Sequence, residues 1–318
     1  MVASAETTRS VIETFQKAEE LVRESSLRRG NVVEIPAAAS GDVMITADLH
    51  GHQINFQRIL ARADLDAHPA RHLVMQEVCH GGPTYPSGAG CMSHLMLEEV
   101  AALQVRYGER FHFVLSNHEL AELTDFPIMK SKRMLNLLFR CGLQEMYGDA
   151  ADDVRDAAMK FVAASPVAIR IGELLVCHSL PAKSDENAFD GEILTRELTE
   201  DDLAEGGDAF RLVWGRDFRQ ANADAFAQAV GAKTFITGHE PCHYGFQTPN
   251  SRQVIIDCCG DPACYALLPL GEVPTSSAGI LQHVRYLHND APVNSDGADP
   301  SGNGRYAPEG TTAADARQ

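Results

Sequence analysis

At 318 residues and 44% hydrophobic, the chain holds enough apolar material for one large domain or two small ones around a sizeable core. Its 27 Lys and Arg against 44 Asp and Glu give a formal charge of -17, so long-range repulsion opposes nucleic acid and anionic membrane while leaving room for a locally bound cation. No apolar run reaches the roughly 18–20 residues that span a bilayer. The N-terminus Met1-Val2-Ala3-Ser4-Ala5-Glu6 lacks the charged start and apolar centre of a signal peptide, so the expected compartment is the cytoplasm.

In chain order, residues 6–29 carry Ile12, Phe15, Leu21 and Val22 among charges, the pattern of an amphipathic helix lying on the body of the protein. Residues 31–35 and 43–47 read as strands, and 53–63 as a helix returning across a sheet, a βα unit of an α/β fold. A strand over 72–78, a helix over 92–107 and a strand over 111–115 follow. From about 119 to 164 the pattern is helical, and a helical cap over one side of the site is expected. Strands are expected at 167–171 and 174–177, a helix at 221–230 and a strand at 234–237. Further strands over 244–247, 254–257, 265–270 and 280–287 suggest a second sheet of antiparallel neighbours. Beyond His288 the composition turns to Asp, Gly, Ser, Pro and Ala, and a disordered tail is expected. The eight cysteines form no C-x-x-C pair and read as reduced, mostly buried filler.

The chemistry-bearing residues sit where apolar runs end. Asp48 and His50, two apart, point the same way if the strand stays extended. Glu77, then Asn117 and His118, then His178, then His239 each follow a further strand-like run. Side chains at successive strand ends of an α/β sheet converge at one edge. Imidazoles, carboxylates and an amide oxygen together are donors for two metal ions sharing one bridging group. The remaining histidines, among them His52, His94, His112 and His243, read as surface or capping residues, with ligation kept open for His243 alone, four residues after His239.

The order Asp48-Leu49-His50-Gly51, Asn117-His118-Glu119, His178 after an apolar strand and Gly238-His239-Glu240-Pro241 resembles the calcineurin-like metallophosphoesterases. It is most similar to the PPP-type serine/threonine protein phosphatases of the bacterial branch, and covers roughly residues 43–270. The resemblance implies a four-layer α/β fold, a β-sandwich flanked by helices. With the patterns read at the two ends, the chain is expected to divide into an N-terminal helix at 1–30, a metallophosphoesterase domain at 31–288 and the tail at 289–318. It implies two divalent metals, Mn, Fe or Zn with Mn favoured. Asp48 and His50 would hold one, Asn117, His178 and His239 the other, and Glu77 would bridge them. His118 would be the general acid, and the substrate a phosphorylated protein or a small phosphoester.

The second motif departs from the family's Gly-Asp-x-x-Asp-Arg-Gly, reading Gln76-Glu77-Val78-Cys79-His80-Gly81-Gly82. Glu77 stands for the bridging Asp, His80 for the Asp that pairs with the catalytic His, and Gly81 for a phosphate-gripping Arg. His80 and Arg216, the latter in Trp214-Gly215-Arg216, are the candidate substrate-binding residues in compensation. Two alternatives stay open: a catalytically impaired metal-binding scaffold, and a hydrolase of dinucleoside polyphosphates.

Overall fold

Runs of Val, Ile, Leu and Phe become strands buried on both faces, as happens when a sheet is covered on each side. A computed structural model gives the structure of residues 2–37 and 40–293. Helix α1 (Ala5–Arg23) leads to β1 (Arg28–Arg29), β2 (Val32–Glu34), β3 (Asp42–Ile45), α2 (Gln53–Ala63), β4 (Arg71–Gln76), α3 (Ser93–Tyr107) and β5 (Phe111–Val114). Next come α4 (Asn117–Leu123), β6 (Met129–Lys130), β7 (Arg133–Met134), α5 (Leu135–Tyr147), α6 (Ala151–Ala164), β8 (Ala168–Ile171) and β9 (Leu174–Cys177). The chain continues through α7 (Glu200–Leu203), α8 (Asp208–Trp214), α9 (Gln220–Val230) and β10 (Thr234–Thr237). It closes with β11 (Phe246–Gln247), β12 (Gln253–Ile256), β13 (Cys264–Pro269), α10 (Ser277–Leu281) and β14 (Val284–Tyr286).

The strands form a seven-stranded sheet in the order β1-β2-β8-β9-β10-β12-β11 and a five-stranded sheet in the order β14-β13-β3-β4-β5. The two sheets share one apolar core with helices outside, the four-layer α/β architecture expected. Within it β3, β4 and β5 run parallel, as do β9, β10 and β12, so their C-terminal ends collect at the same edges. Helix α1 buries Phe15, Ala18 and Val22, spaced at three and four, and Phe15 meets Phe161 of α6 at 6.1 Å between ring centres. Among the described residues no helix is long and apolar enough to cross a membrane.

Three expectations change. The strands after 244 do not build a sheet of their own: β11 and β12 extend the seven-stranded sheet, while β13 crosses to pair antiparallel with β3 and β14. The helical stretch at 119–164 is interrupted by a two-residue hairpin between β6 and β7. Its turn residues Ser131 (φ 50°) and Lys132 (φ 62°) take the left-handed conformation such turns require, without the glycine or asparagine that usually announces it. The fold also runs past His288, because Tyr286 N–H donates to the Ala291 carbonyl at 2.8 Å and Val293 N–H to that of Val284 at 3.1 Å. The rest of the expected tail, 294–318, lies outside the described residues.

Candidate metal centre and its surroundings

The C-terminal ends of β3, β4, β5, β9 and β10 bring Asp48, His50, Glu77, Asn117, His118, His178 and His239 into one cluster. Asp48, Glu77 and His178 present ligand atoms within 4.8 Å of one another, as do His50, Glu77 and His118, so Glu77 belongs to both groups. Glu77 Oε2 lies 3.4 Å from His178 Nε2 and 3.9 Å from His50 Nε2, and Glu77 Oε1 lies 3.7 Å from His118 Nε2. Asn117 Oδ1 faces His178 Nε2 at 2.7 Å and His239 Nδ1 at 3.1 Å.

Asp48 and His50 do not meet their partners by strand pleat. β3 ends at Ile45, and His50 has φ 44°, so the loop curls. The curl is held by one carbonyl: Leu49 N–H and His50 N–H both donate to the Glu77 carbonyl, at 2.8 and 3.1 Å. Glu77 (φ 49°), His80 (φ 63°) and His239 (φ 69°) share the left-handed conformation, which costs a non-glycine residue about 1–3 kcal/mol. Four such residues in one small volume mark a site whose geometry is imposed by its surroundings. The same crowding explains Gly81. A Cβ there would lie 2.4 Å from the His50 carbonyl oxygen, so the arginine that the resemblance expects has no room on this backbone.

The imidazole tautomers follow from the hydrogen-bond network. His50 Nδ1–H donates to the Cys79 carbonyl at 3.2 Å, which turns a bare Nε2 toward Glu77. His178 Nδ1–H donates to Gln76 Oε1 at 2.8 Å, and the Gln76 amide is oriented by its own donation to the Thr46 carbonyl at 3.4 Å. His178 Nε2 is therefore also bare, and it points at the Asn117 oxygen. Histidines committed in this way on one nitrogen, with the other free, are the usual form of metal-binding imidazoles.

Burial decides the electrostatics. It pushes the Glu77 carboxyl well above its ordinary range, with the neighbouring Asp48 carboxylate adding to the rise, and it raises Asp48 too. It also holds His118, His178 and His239 well below the usual imidazole range, so these rings are neutral at pH 7. Neutral rings leave the acidic pair without countercharge. Glu77 Oε2 and His239 Nε2 are both buried without a hydrogen-bond partner, which is the condition a bound cation relieves. The cluster is closed at His178, whose side chain is 0% exposed, and open at His50 and His118, at 23% and 12%. A ligand would approach from that side.

Two predicted substrate contacts fall differently. Arg216 stands at the rim beside His239, but its Nε donates to Glu240 Oε2 at 2.9 Å. His80 does not face a substrate at all. Its side chain is fully buried behind His118, with the two Nδ1 atoms 3.0 Å apart. Among the other histidines, His52 caps α2 by accepting from Asn55 N–H at 3.2 Å, and His243 is exposed. His94 and His112 are buried instead of superficial, His94 between Tyr85 and Glu98 and His112 against His72.

Several contributors were not foreseen. Glu119 accepts Val78 N–H at 3.0 Å and Cys79 N–H at 2.8 Å, clamping the loop after β4 onto α4. Trp214 packs edge-on to His239 and is backed by Phe126 and Phe210. Glu122, one helical turn after His118, approaches His80. Glu119 had a signal, as part of Asn117-His118-Glu119, and so did Trp214, in Trp214-Gly215-Arg216; Glu122 had none.

Solved structures share the fold over most of the chain. It is similar to a protein serine/threonine phosphatase from Saccharomyces cerevisiae with similarity to human phosphatase PP5, with a TM-score of 0.65 and 15% identity over 87% of this chain and 88% of that one. At that identity the likeness is one of fold. A cold-active protein tyrosine phosphatase aligns with a TM-score of 0.46 and 14% identity, covering 80% of this chain and 82% of that one. No protein-family model and no curated protein matches the sequence.

Proposed function

We propose that the chain is a metal-dependent hydrolase of phosphoric monoesters of the calcineurin-like, PPP-type kind. The observation that carries this reading is the pair of bare imidazole nitrogens, His50 Nε2 and His178 Nε2, turned toward a buried Glu77 carboxylate whose Oε2 has no hydrogen bond. Left alone, such groups cost several kcal/mol of desolvation. Divalent cations are the partners that satisfy them together.

Asp48 and His50 would hold one ion, Asn117, His178 and His239 a second, with Glu77 shared between them. The donors are imidazole, carboxylate and amide oxygen with no thiolate, a set suited to Mn, Fe or Zn, and Mn is the favoured ion. Two such ions, when bound, would supply the positive charge that polarises phosphoryl oxygens and acidifies water. His118, at the open side of the cluster, would take a proton from solvent onto Nε2 while keeping the one on Nδ1, and give it from Nε2 to the leaving alcohol oxygen as the P–O bond breaks. Arg216 grips the phosphate after exchanging its Glu240 partner for the substrate.

The substrate class that fits is a phosphorylated protein or a small phosphoester, met in the cytoplasm, and the charge of -17 disfavours nucleic acid and membrane surfaces. The loss of a guanidinium at Gly81 favours a second reading, a metal-binding module that recognises phosphate without turnover. Hydrolysis of p-nitrophenyl phosphate with added manganese separates the two. Turnover that a chelator abolishes and that falls at least about 100-fold in Asn117→Ala is expected. Absence of turnover with Mn, Fe or Zn, or turnover indifferent to chelator and to Asn117→Ala, would overturn the hydrolase.

A further inference from the structure

We infer that Glu122 is a positioning residue for His118, acting through the ring of His80. This rests on the hydrolase reading for its kinetic consequence, but the arrangement itself stands on geometry.

His118 and Glu122 are one turn apart on α4, so they share a face of the helix, and His80 from the loop after β4 is wedged between them. His118 Nδ1 is 3.0 Å from His80 Nδ1, and His80 Nε2 is 3.5 Å from Glu122 Oε2. His80 Nε2 has no closer partner, and the side chains of His80 and Glu122 are both 0% exposed, so water does not serve in place of either contact. Phe139 edges onto the His80 ring at 5.6 Å, and the His80 backbone N–H donates to Ser93 Oγ at 3.1 Å, which anchors the loop that carries the ring.

Protons can be placed in this row in one way while both rings are neutral. An ionised Glu122 only accepts, so His80 carries its proton on Nε2, and its Nδ1 is then a bare acceptor. His118 must therefore carry its own proton on Nδ1, leaving Nε2, the atom 3.7 Å from Glu77, as the one that exchanges protons with the site. The opposite assignment would turn a bare His80 nitrogen against a buried carboxylate.

Glu122 is held ionised for this purpose. Arg140 Nε donates to its Oε1 at 2.9 Å and Arg155 Nε at 2.7 Å, and Asn136 Nδ2 approaches Oε2 at 3.3 Å. Although burial pushes the Glu122 carboxyl upward, His80 and the two arginines outweigh it and hold the group below its ordinary value. The carboxylate that the resemblance places directly beside the catalytic histidine has thus moved one imidazole away, onto the helix that carries that histidine.

A double-mutant cycle on the full manganese-loaded chain tests the relay. Glu122→Gln should lower kcat for p-nitrophenyl phosphate about 10-fold, a fraction of what a positioned acid supplies, with KM and bound metal unchanged. In His80→Asp the new carboxylate can reach His118 directly, and aspartate tolerates the positive φ of position 80. In that background Glu122→Gln should cost nothing, or raise kcat by removing a like charge. An equal loss in both backgrounds, or no loss in either, would overturn the relay.

A readout independent of turnover keeps the relay and the hydrolase separable. Nitrogen-15 NMR of histidine-labelled protein at pH 8 should find His118 protonated on Nδ1 in the wild type and a tautomer mixture in Glu122→Gln. An unchanged His118 pattern would contradict the relay even if the wild type hydrolyses phosphoesters. The expected pattern in a wild type that does not turn over would leave the relay standing and the hydrolase fallen.

Discussion

Two pairs of histidines in this molecule touch in nearly the same way. His80 and His118 meet at 3.0 Å between ring nitrogens, and so do His72 and His112. The rings of His72 and His112 are stacked 6° from parallel on β4 and β5, and among the described residues neither makes an ion pair with a carboxylate. Burial, with His72 beside it, pushes the His112 imidazole down to about 3, so it stays neutral and inert. The His80–His118 pair instead lies between two acids, Glu122 on one side and Glu77 on the other. A short contact between imidazoles says little about function. What stands at the two ends of the pair decides whether it stabilises a sheet or handles a proton.

The contrast can be broken most forcefully by deleting one ring from each pair. His118→Ala should lower phosphoester turnover by about 10²–10⁴-fold while the bound metal is retained, because the lost group acts on the leaving oxygen. His112→Gln should leave turnover unchanged. Comparable losses in the two variants would mean that the pairs are alike after all.

The structural pair should reveal itself in acid stability. His112 has a folded-state value of about 3 against an ordinary 6.5, so between these values the unfolded chain binds the extra proton and the folded chain does not. Stability therefore falls as pH drops below 6.5 and continues to fall toward 3, by about 1.4 kcal/mol per pH unit from this ring. Urea unfolding at pH 6.5 and pH 5 should show wild type losing about 2 kcal/mol more than His112→Gln over that interval. Equal losses would show that His112 does not resist protonation in the folded state.

The strand ends were legible because each of Asp48, Glu77, Asn117, His178 and His239 lies at or within two residues of the end of a short apolar run that reads as a covered strand. Parallel pairing of β3, β4 and β5 then carries three of those ends to one edge without further information. What could not be read depends on backbone shape or on distant partners. His50, Glu77, His80 and His239 adopt positive φ without being glycine, so nothing in their identity announces the curled loops. His80 looked like a substrate-binding residue because its neighbours in sequence line the cluster, yet the loop turns its ring inward against Phe139. Glu122 gave no signal, since its role depends on Arg140 and Arg155, which reach it from α5 and α6. Gln76 likewise matters only because β9 delivers His178 beside it.

The Asp48–His239 cluster is proposed above as a two-metal centre bridged by Glu77. Elemental analysis of the purified chain, stripped with chelator, reloaded with manganese and gel-filtered, tests it most directly when run beside Glu77→Gln. About two metal ions per wild-type chain and at most one in the variant are expected, because an amide cannot bridge two cations as a carboxylate does. One ion or none in the wild type, or the same content in both proteins, would contradict it.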